Sequence, residues 1–402
     1  MDLIIPVTVG IIILCFLAWL PIDFYLGRKS HINHVVDKYF PKRSSDIQIY
    51  TNGRALFQDF FKEIKDAKAH VHILFYIVSN DRFSEEFLQL LKTKAQSGVE
   101  VRLMVDRIGS HRLSRKTIND LKTHGIRFIF THMPKWPYLF YSLQERNHRK
   151  ISIIDGKIGY LGGYNIGKEY IDQHPKLTPW RDYHMKITGE GVRDLQYVFL
   201  DDWFHTSGKD DRRNEKYFPS LPKGECVHQF VPTEGVFLQK TFSELITAAK
   251  SRIIIGTPYF VPSQQLFTDL RAALSKGIDI TIIVPKHPDH PLVQEASYRY
   301  FRVLIKDGAR VLQFKKGFYH SKIVLIDDKI CDIGTANFDR RSLFLNHEMN
   351  CLIFNRACIE NIKKELRYDM QHSTPLTLEM LSISNPLRKI KESIASTISP
   401  FL

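Results

Sequence analysis

Apolar residues fall into distinct patterns along this chain, and each pattern predicts a different element. Leu3 to Leu20 carries no charged side chain and is mostly Ile, Leu and Val. At 1.5 Å rise per residue such a helix extends about 27 Å, just enough to span a hydrocarbon core. Beyond it the pattern becomes amphipathic. From Gly53 to Ala69, Leu56, Phe57, Phe60, Phe61 and Ile64 recur at helical spacing. Val71 to Val78 reads as a buried strand. Phe87 to Ser97 is a helix stopped by Gly98, and Val99 to Val105 a strand. Leu113 to His124 is a helix stopped by Gly125, followed by the strand Ile126 to Phe130.

The same succession returns later. Phe237 to Lys250 is a helix and Arg252 to Gly256 a strand. Leu266 to Lys276 is a helix closed by Gly277, before the strand Ile278 to Val284. Val293 to Lys306 is a helix closed by Gly308, before the strand Ala309 to Phe314. Gly98 matches Gly277 and Gly125 matches Gly308, each where a left-handed helix cap falls. Helices alternating with strands predict an α/β layer in each half. Such a duplication governs the whole fold. The polar run Ser207 to Lys216 breaks the periodicity and marks the join. The expected divisions are an anchor over 1–27, a basic juxtamembrane linker over 28–45, a first domain over 46–206, a join over 207–224, a second domain over 225–375 and a tail over 376–402. Ile359 to Gln371 reads as a helix. The tail mixes Leu378, Leu381, Ile383, Leu387 and Ile390 with Arg388, Lys389 and Lys391. That composition fits an amphipathic helix at a membrane interface, or one packed on its own domain, or a frayed end.

The duplication extends to reactive residues. His148-Arg149-Lys150 runs through four apolar or small residues to Asp155, and His320-Ser321-Lys322 runs likewise to Asp327. Gly162 and Asn165 follow the first; Gly334 and Asn337 follow the second. In each copy the Asn lies 17 residues beyond the His (165 − 148 and 337 − 320). Alternate residues of an extended segment share a side, so each His faces the same way as its Lys. One His-x-Lys would be an ordinary basic strand. Two copies agreeing at His, Lys, Asp, Gly and Asn point to two imidazoles and two ammonium groups brought together about a pseudo-two-fold axis.

Composition narrows the partner. The 402 residues carry a net charge of +14, which favours a polyanion, either nucleic acid or an anionic lipid surface. Five cysteines without a C-x-x-C pair suit reduced thiols rather than a disulfide framework. Arg28, Lys29, Lys38, Lys42 and Arg43 follow the apolar segment, while Met1-Asp2 precedes it without Lys or Arg and no small-x-small cleavage site follows. The expectation is a retained single-pass anchor with its N-terminus outside and the catalytic domains in the cytoplasm. Pro134-Lys135-Trp136-Pro137-Tyr138-Leu139-Phe140-Tyr141 places amphipathic aromatics beside a basic residue, as a bilayer interface favours; a buried loop is the plain alternative.

The duplicated motif resembles that of the phospholipase D superfamily, and within it the bacterial cardiolipin synthases. The likeness rests on Asn147-His148-Arg149-Lys150 leading to Gly162-Gly163-Tyr164-Asn165, on Trp180-Arg181-Asp182, on Thr257-Pro258-Tyr259-Phe260-Val261-Pro262, and on Gly334-Thr335-Ala336-Asn337 through Ser342. A single apolar segment matches the shorter, minor forms. The resemblance implies two phospholipase D-like α/β repeats. It implies phosphatidyl transfer between two phosphatidylglycerol molecules of an anionic membrane, with release of glycerol through a phosphohistidine intermediate. His148 would be the nucleophile and His320 the acid, although the sequence alone does not order them. Lys150, Lys322, Asn165, Asn337 and Thr335 would surround the phosphate. Glu348 would hold His320, and Asp182, ahead of the weaker Glu169, would hold His148. Asp155 and Asp327 would fix the strand-end turn and the lysine. No metal or other cofactor is implied, and nucleic acid is not an expected partner. His287-Pro288-Asp289-His290 is the nearest thing to a ligand cluster. A hydrolase of the same mechanism, acting on phospholipid or nucleic acid, and a non-catalytic membrane adaptor are the alternatives.

Overall fold

The computed structural model describes residues 4–290, 292–382 and 386–399. Met1, Asp2 and Leu3, which entered the orientation argument, and Ile383 of the tail lie outside the described residues. The helices start where the chain offers caps. Asn52, Asp81, Ser114 and Ser263 each accept a hydrogen bond from the backbone N–H three residues on. They stop at the expected glycines: Gly98 and Gly277 adopt φ of 89° and 80° with open space around the missing Cβ, so conformation alone requires glycine there.

Fifteen strands form one continuous sheet. The first half runs, in spatial order, Arg43–Tyr50, His184–Gly189, Ile158–Gly162, Ile151–Ile154, His70–Phe75, Glu100–Asp106 and Arg127–Thr131. The second repeats that order with Cys226–Glu234, His347–Ile353, Ile330–Gly334, Ile323–Ile326, Arg252–Gly256, Asp279–Pro285 and Arg310–Phe314, and adds Ser373–Pro375 at its edge. The halves join where Arg43–Tyr50 pairs antiparallel with Cys226–Glu234, Ser44 facing Val227. A pseudo-two-fold axis therefore passes through the middle of the sheet. One face of each half is covered by its own helices around separate cores. Phe57, Phe60 and Phe87 anchor the first, and Phe242, Phe260 and Leu304 the second. The opposite face carries Val192–Ser207 and Arg356–Gln371 over a core that continues from one half into the other. All five cysteines are free, with Cys226, Cys331 and Cys351 buried.

Two expected boundaries move. The linker over 28–45 is mostly not a linker. The first helix continues unbroken over Ile4–His34, and the first strand begins at Arg43 rather than 46. The apolar turns of that helix are exposed, from Ile5 to Leu17, and it is long and apolar enough to cross a membrane. Its last turns instead dock on the body of the protein. Asp23 accepts from Tyr141 N at 2.9 Å, and Arg28 donates to Gly235 O at 2.7 Å. The aromatic segment divides accordingly. Phe140 and Tyr141 pack against Phe24, whereas Trp136 stays 73% exposed beside Trp19. The polar join is docked too: Arg102 donates to Asp211 at 2.7 Å and to the buried Tyr217 hydroxyl at 2.6 Å. In the tail, Pro386–Ile398 packs on Val293–Lys306 through Arg302 and Glu392 at 2.8 Å, leaving Leu387, Ile390 and Ile394 exposed.

Candidate active site

Both His-x-Lys segments lie just before a short strand, Ile151–Ile154 or Ile323–Ile326, at the seam between the halves. Their leading residues cross that seam. His148 N donates to His347 O at 2.9 Å, and His320 N to Arg181 O at 2.7 Å. The side chains cross as well. His148 Nδ1 meets both oxygens of Glu348 at 3.0 Å, and His320 Nδ1 meets Asp182 Oδ2 at 2.6 Å. This corrects the expected pairing. The two carboxylates do hold the two imidazoles, but each half's acid serves the other half's histidine. The sheet explains why. Glu348 and Asp182 are equivalent residues, two before Asn350 and His184, which face Gly334 and Gly162 in their ladders. Each side chain reaches across the axis.

Both carboxylates are fully buried. Burial alone would raise the Asp182 carboxyl, but Lys322 and His320 outweigh it and hold the group below its ordinary range. Glu348 is lowered the same way, by His148 and Lys150 against the opposing effect of burial. Burial pushes His148 below its usual value, with Glu348 opposing. It pushes His320 down to about 4, helped by Lys322. Burial also brings the Lys150 ammonium down to about 7, with Glu348 and Lys322 of the other half and Asp182 of its own all acting on it. Lys322 in turn feels Glu348. The two histidines, two lysines and two acids share one electrostatic site.

The lysines differ. Lys150 Nζ donates to His148 O at 2.7 Å and sits 5.4 Å from the centre of the Tyr76 ring. Lys322 donates to His320 O and stands 3.3 Å from Asp182 Oδ2 and 2.5 Å from His320 Nδ1. Asp155 and Asp327 do not reach either lysine. Asp155 accepts the backbone N–H groups of Lys68, Ala69 and His70 at 2.7 to 2.9 Å, and Asp327 those of Lys250, Ser251 and Arg252 over the same range. They clamp the loop that enters the neighbouring strand. Thr335 also departs from expectation. Its hydroxyl donates to Glu348 Oε2 at 2.5 Å, so it positions a carboxylate rather than facing a phosphate. Asn165 accepts from Ile77 N at 3.1 Å and donates to Tyr170 at 3.1 Å; Asn337 donates to Asp339 at 3.1 Å. Both asparagines are engaged in shaping the loops of the site. Glu169 lies on the short turn Lys168–Ile171 and has no contact with either histidine.

Sequence reasoning missed several neighbours. The Tyr76 ring stands edge-on to His148 at 5.0 Å, and Trp180 lies 4.8 Å from His320. Arg149, fully buried at the seam, donates to Asp202 at 2.5 Å, to Thr233 O at 3.0 Å and to Glu348 O at 3.1 Å. Its position inside the motif, between His and Lys, was the available clue. The ligand candidate His287 to His290 does not assemble: Asp289 accepts from Tyr259 at 2.6 Å and His290 is exposed. The described residues do hold one other His/Glu cluster, formed by His31, Glu145 and His347.

A sheet duplicated about a central axis, with a histidine, a lysine and a borrowed acid from each side, defines a phospholipase D-like protein. A family profile described as "Cardiolipin synthase, PLD-like domain" matches residues 60–176 and 242–370. The chain is 37% identical over 396 residues to the minor cardiolipin synthase ClsB of Bacillus subtilis, covering 98% of this chain and 99% of that one. It is 35% identical over 365 residues to a cardiolipin synthase of Halalkalibacterium halodurans, covering 89% and 73%. Among solved structures, the phosphatidylserine synthase of Haemophilus influenzae superimposes with a TM-score of 0.70 at 17% identity, over 93% of this chain and 99% of that one. The polyphosphate kinase of Porphyromonas gingivalis does so at 0.57 and 14% identity, over 88% and 53%. These two likenesses are of fold. The chain belongs to the cardiolipin synthase family of phospholipase D-like phosphatidyltransferases.

Proposed function

We propose that the chain condenses two phosphatidylglycerols into cardiolipin and glycerol at the seam between its halves. The observation that carries this reading is the crossed anchoring of both imidazoles through Nδ1, which turns both Nε2 atoms away from the carboxylates, that of His320 with Lys322 Nζ at 3.3 Å. A neutral ring with its proton on Nδ1, held by a carboxylate, has a bare Nε2 pair that attacks phosphorus; the resemblance gives this role to His148. As the N–P bond forms, the P–O bond to the headgroup glycerol breaks, and His320 delivers its Nε2 proton to the departing oxygen. The glycerol hydroxyl of the second phosphatidylglycerol then gives its proton back to His320 and attacks phosphorus. The N–P bond breaks and the pair returns to its starting state. Lys150 and Lys322 supply the positive charge that offsets the non-bridging oxygens. The free site lacks the phosphodiester's negative charge, which raises both imidazoles and both ammonium groups once it enters.

The exposed apolar turns of the first helix, followed by the basic residues Arg28, Lys29 and Lys38, support a single-pass anchor with the catalytic domains on the cytoplasmic side. Purified protein incubated with phosphatidylglycerol labelled in its headgroup and phosphate tests the reading. Cardiolipin with an equal amount of glycerol is expected. Phosphatidic acid without cardiolipin would make the protein a hydrolase, and no product at all would leave the adaptor.

A further inference from the structure

At the point where the first helix meets the body, a cavity of about 650 Å³ lies between them. His31 of the helix, Glu145 of the first half and His347 of the second present donor atoms there, all within 4.8 Å of one another. Glu145 Oε1 lies 3.0 Å from His347 Nε2, 3.3 Å from His31 Nδ1 and 3.5 Å from Nε2 of a fourth residue, His132. We propose that this cluster binds a zinc ion that fastens the membrane helix to both halves of the catalytic body.

The three nitrogens approach Glu145 Oε1 at close to the spacing the ion needs. Zinc holds four ligands tetrahedrally at about 2.0–2.2 Å, which places neighbouring donors about 3.3–3.5 Å apart. Three imidazoles and one carboxylate are also a donor set that zinc accepts. The protonation pattern points the same way. His31 Nε2 is 2.7 Å from Glu234 O, and a carbonyl can only accept, so Nε2 carries the ring's proton. In a neutral ring Nδ1 is then a bare lone pair, aimed at a carboxylate oxygen that is also electron-rich. Something positive must lie between them: a second proton or a cation. His132 stands beside this pair, its other ring nitrogen against a hydroxyl that can donate or accept. Its Nδ1 is tied to Thr131 Oγ1 at 2.5 Å, which turns Nε2 toward Glu145. Ligating imidazoles are held in this way, by a hydrogen bond at the nitrogen that does not meet the metal. The three rings and the carboxylate are only partly covered, at 11 to 14% exposure of each side chain, so an ion can enter from the cavity.

The site lies outside the phosphoryl chemistry, and its test does not use turnover. Full-length protein in detergent is loaded with zinc, freed of loosely held metal by gel filtration, and assayed for metal content. One zinc per chain is expected, together with a rise in Tm over the metal-free protein. The double variant His31→Ala/Glu145→Gln should retain none, while His132→Ala should keep the ion with weaker affinity. Cobalt(II) loaded in place of zinc should give the intense visible bands of four-coordinate cobalt. That spectrum is read on the unsubstituted chain, so a variant that failed to fold would not obscure the result. Wild-type protein that retains no more metal than the double variant, and shows no such bands, would assign the cluster to protons alone and overturn the proposal.

Discussion

Around His148 the Glu348 carboxylate presents both oxygens at 3.0 Å, whereas around His320 a single oxygen of Asp182 stands at 2.6 Å. The two acids are symmetry equivalents, and the difference begins with the residues beneath them. Thr335 steadies the longer Glu348 with its hydroxyl. Its counterpart is Gly163, where a Cβ would fall on the Asp182 carboxylate. One half uses a long acid and a hydroxyl prop; the other uses a short acid and empties the space under it. The lysines follow. Lys322 is drawn in against His320 and Asp182, while Lys150 rests over Tyr76. Lys322 accordingly helps burial push His320 to about 4. The duplication conserves the topology and leaves the electrostatics of its two imidazoles unequal.

The largest effect should come from abolishing the pair itself. His148→Ala and His320→Ala should each lower turnover by about 10³-fold or more, and the double variant should cost little beyond either single. Multiplicative losses would mean that the two rings do not act on one phosphorus. Next, exchanging the residues beneath the acids should be strongly unequal. Gly163→Thr should displace Asp182 and reduce kcat by about 10²-fold or more. Thr335→Gly removes one hydrogen bond to a carboxylate, about 1.5–3 kcal/mol, or about 10- to 100-fold. Equal losses would show that the prop and the gap are interchangeable. Smaller again is the pH dependence of binding. Burial places the Lys150 ammonium at about 7 in the free site, so kcat/KM should fall as pH rises past 7. The corresponding limb in kcat should lie higher, because bound phosphodiester favours the ammonium.

The last effect concerns stability rather than turnover. Burial pushes His184 down to about 3, while its equivalent, Asn350, does not titrate. Between pH 6.5 and 3 the unfolded chain binds a proton at His184 that the native chain does not. Stability is therefore lost as pH falls through that window. His184→Asn should flatten the acid limb of a Tm-against-pH curve by about 1.4 kcal/mol per pH unit in terms of stability. An unchanged slope would remove His184 from the acid response.

Much of this was legible in the chain. Helix stops at Gly98, Gly125, Gly277 and Gly308, together with the His-x-Lys copies, specify a duplicated α/β sheet because local caps and apolar periods agree with it. The identities of Asp182 and Glu348 were legible too; their exchange was not. Which imidazole an acid meets depends on the direction in which the ends of His184–Gly189 and His347–Ile353 leave the sheet, and no pattern along the chain records a crossing in space. Thr335 was misread for a related reason, since a hydroxyl next to a reactive site gives no indication of which way its proton points. The 28–45 segment looked like a tether because its basic residues suggested solvent. Arg28 instead finds a backbone carbonyl, and Lys38 finds Asp201 and Glu234. His31, Glu145 and His347 come from three remote segments, so no ligand spacing announces them.

The first helix is continuous from its exposed apolar turns, past Pro21, to the contacts of Asp23 and Arg28. Anchor and body are thereby locked in rotational phase. One residue inserted between Leu20 and Asp23 would swivel the whole body by about 100° and raise it by about 1.5 Å, like a key cut one notch out of step.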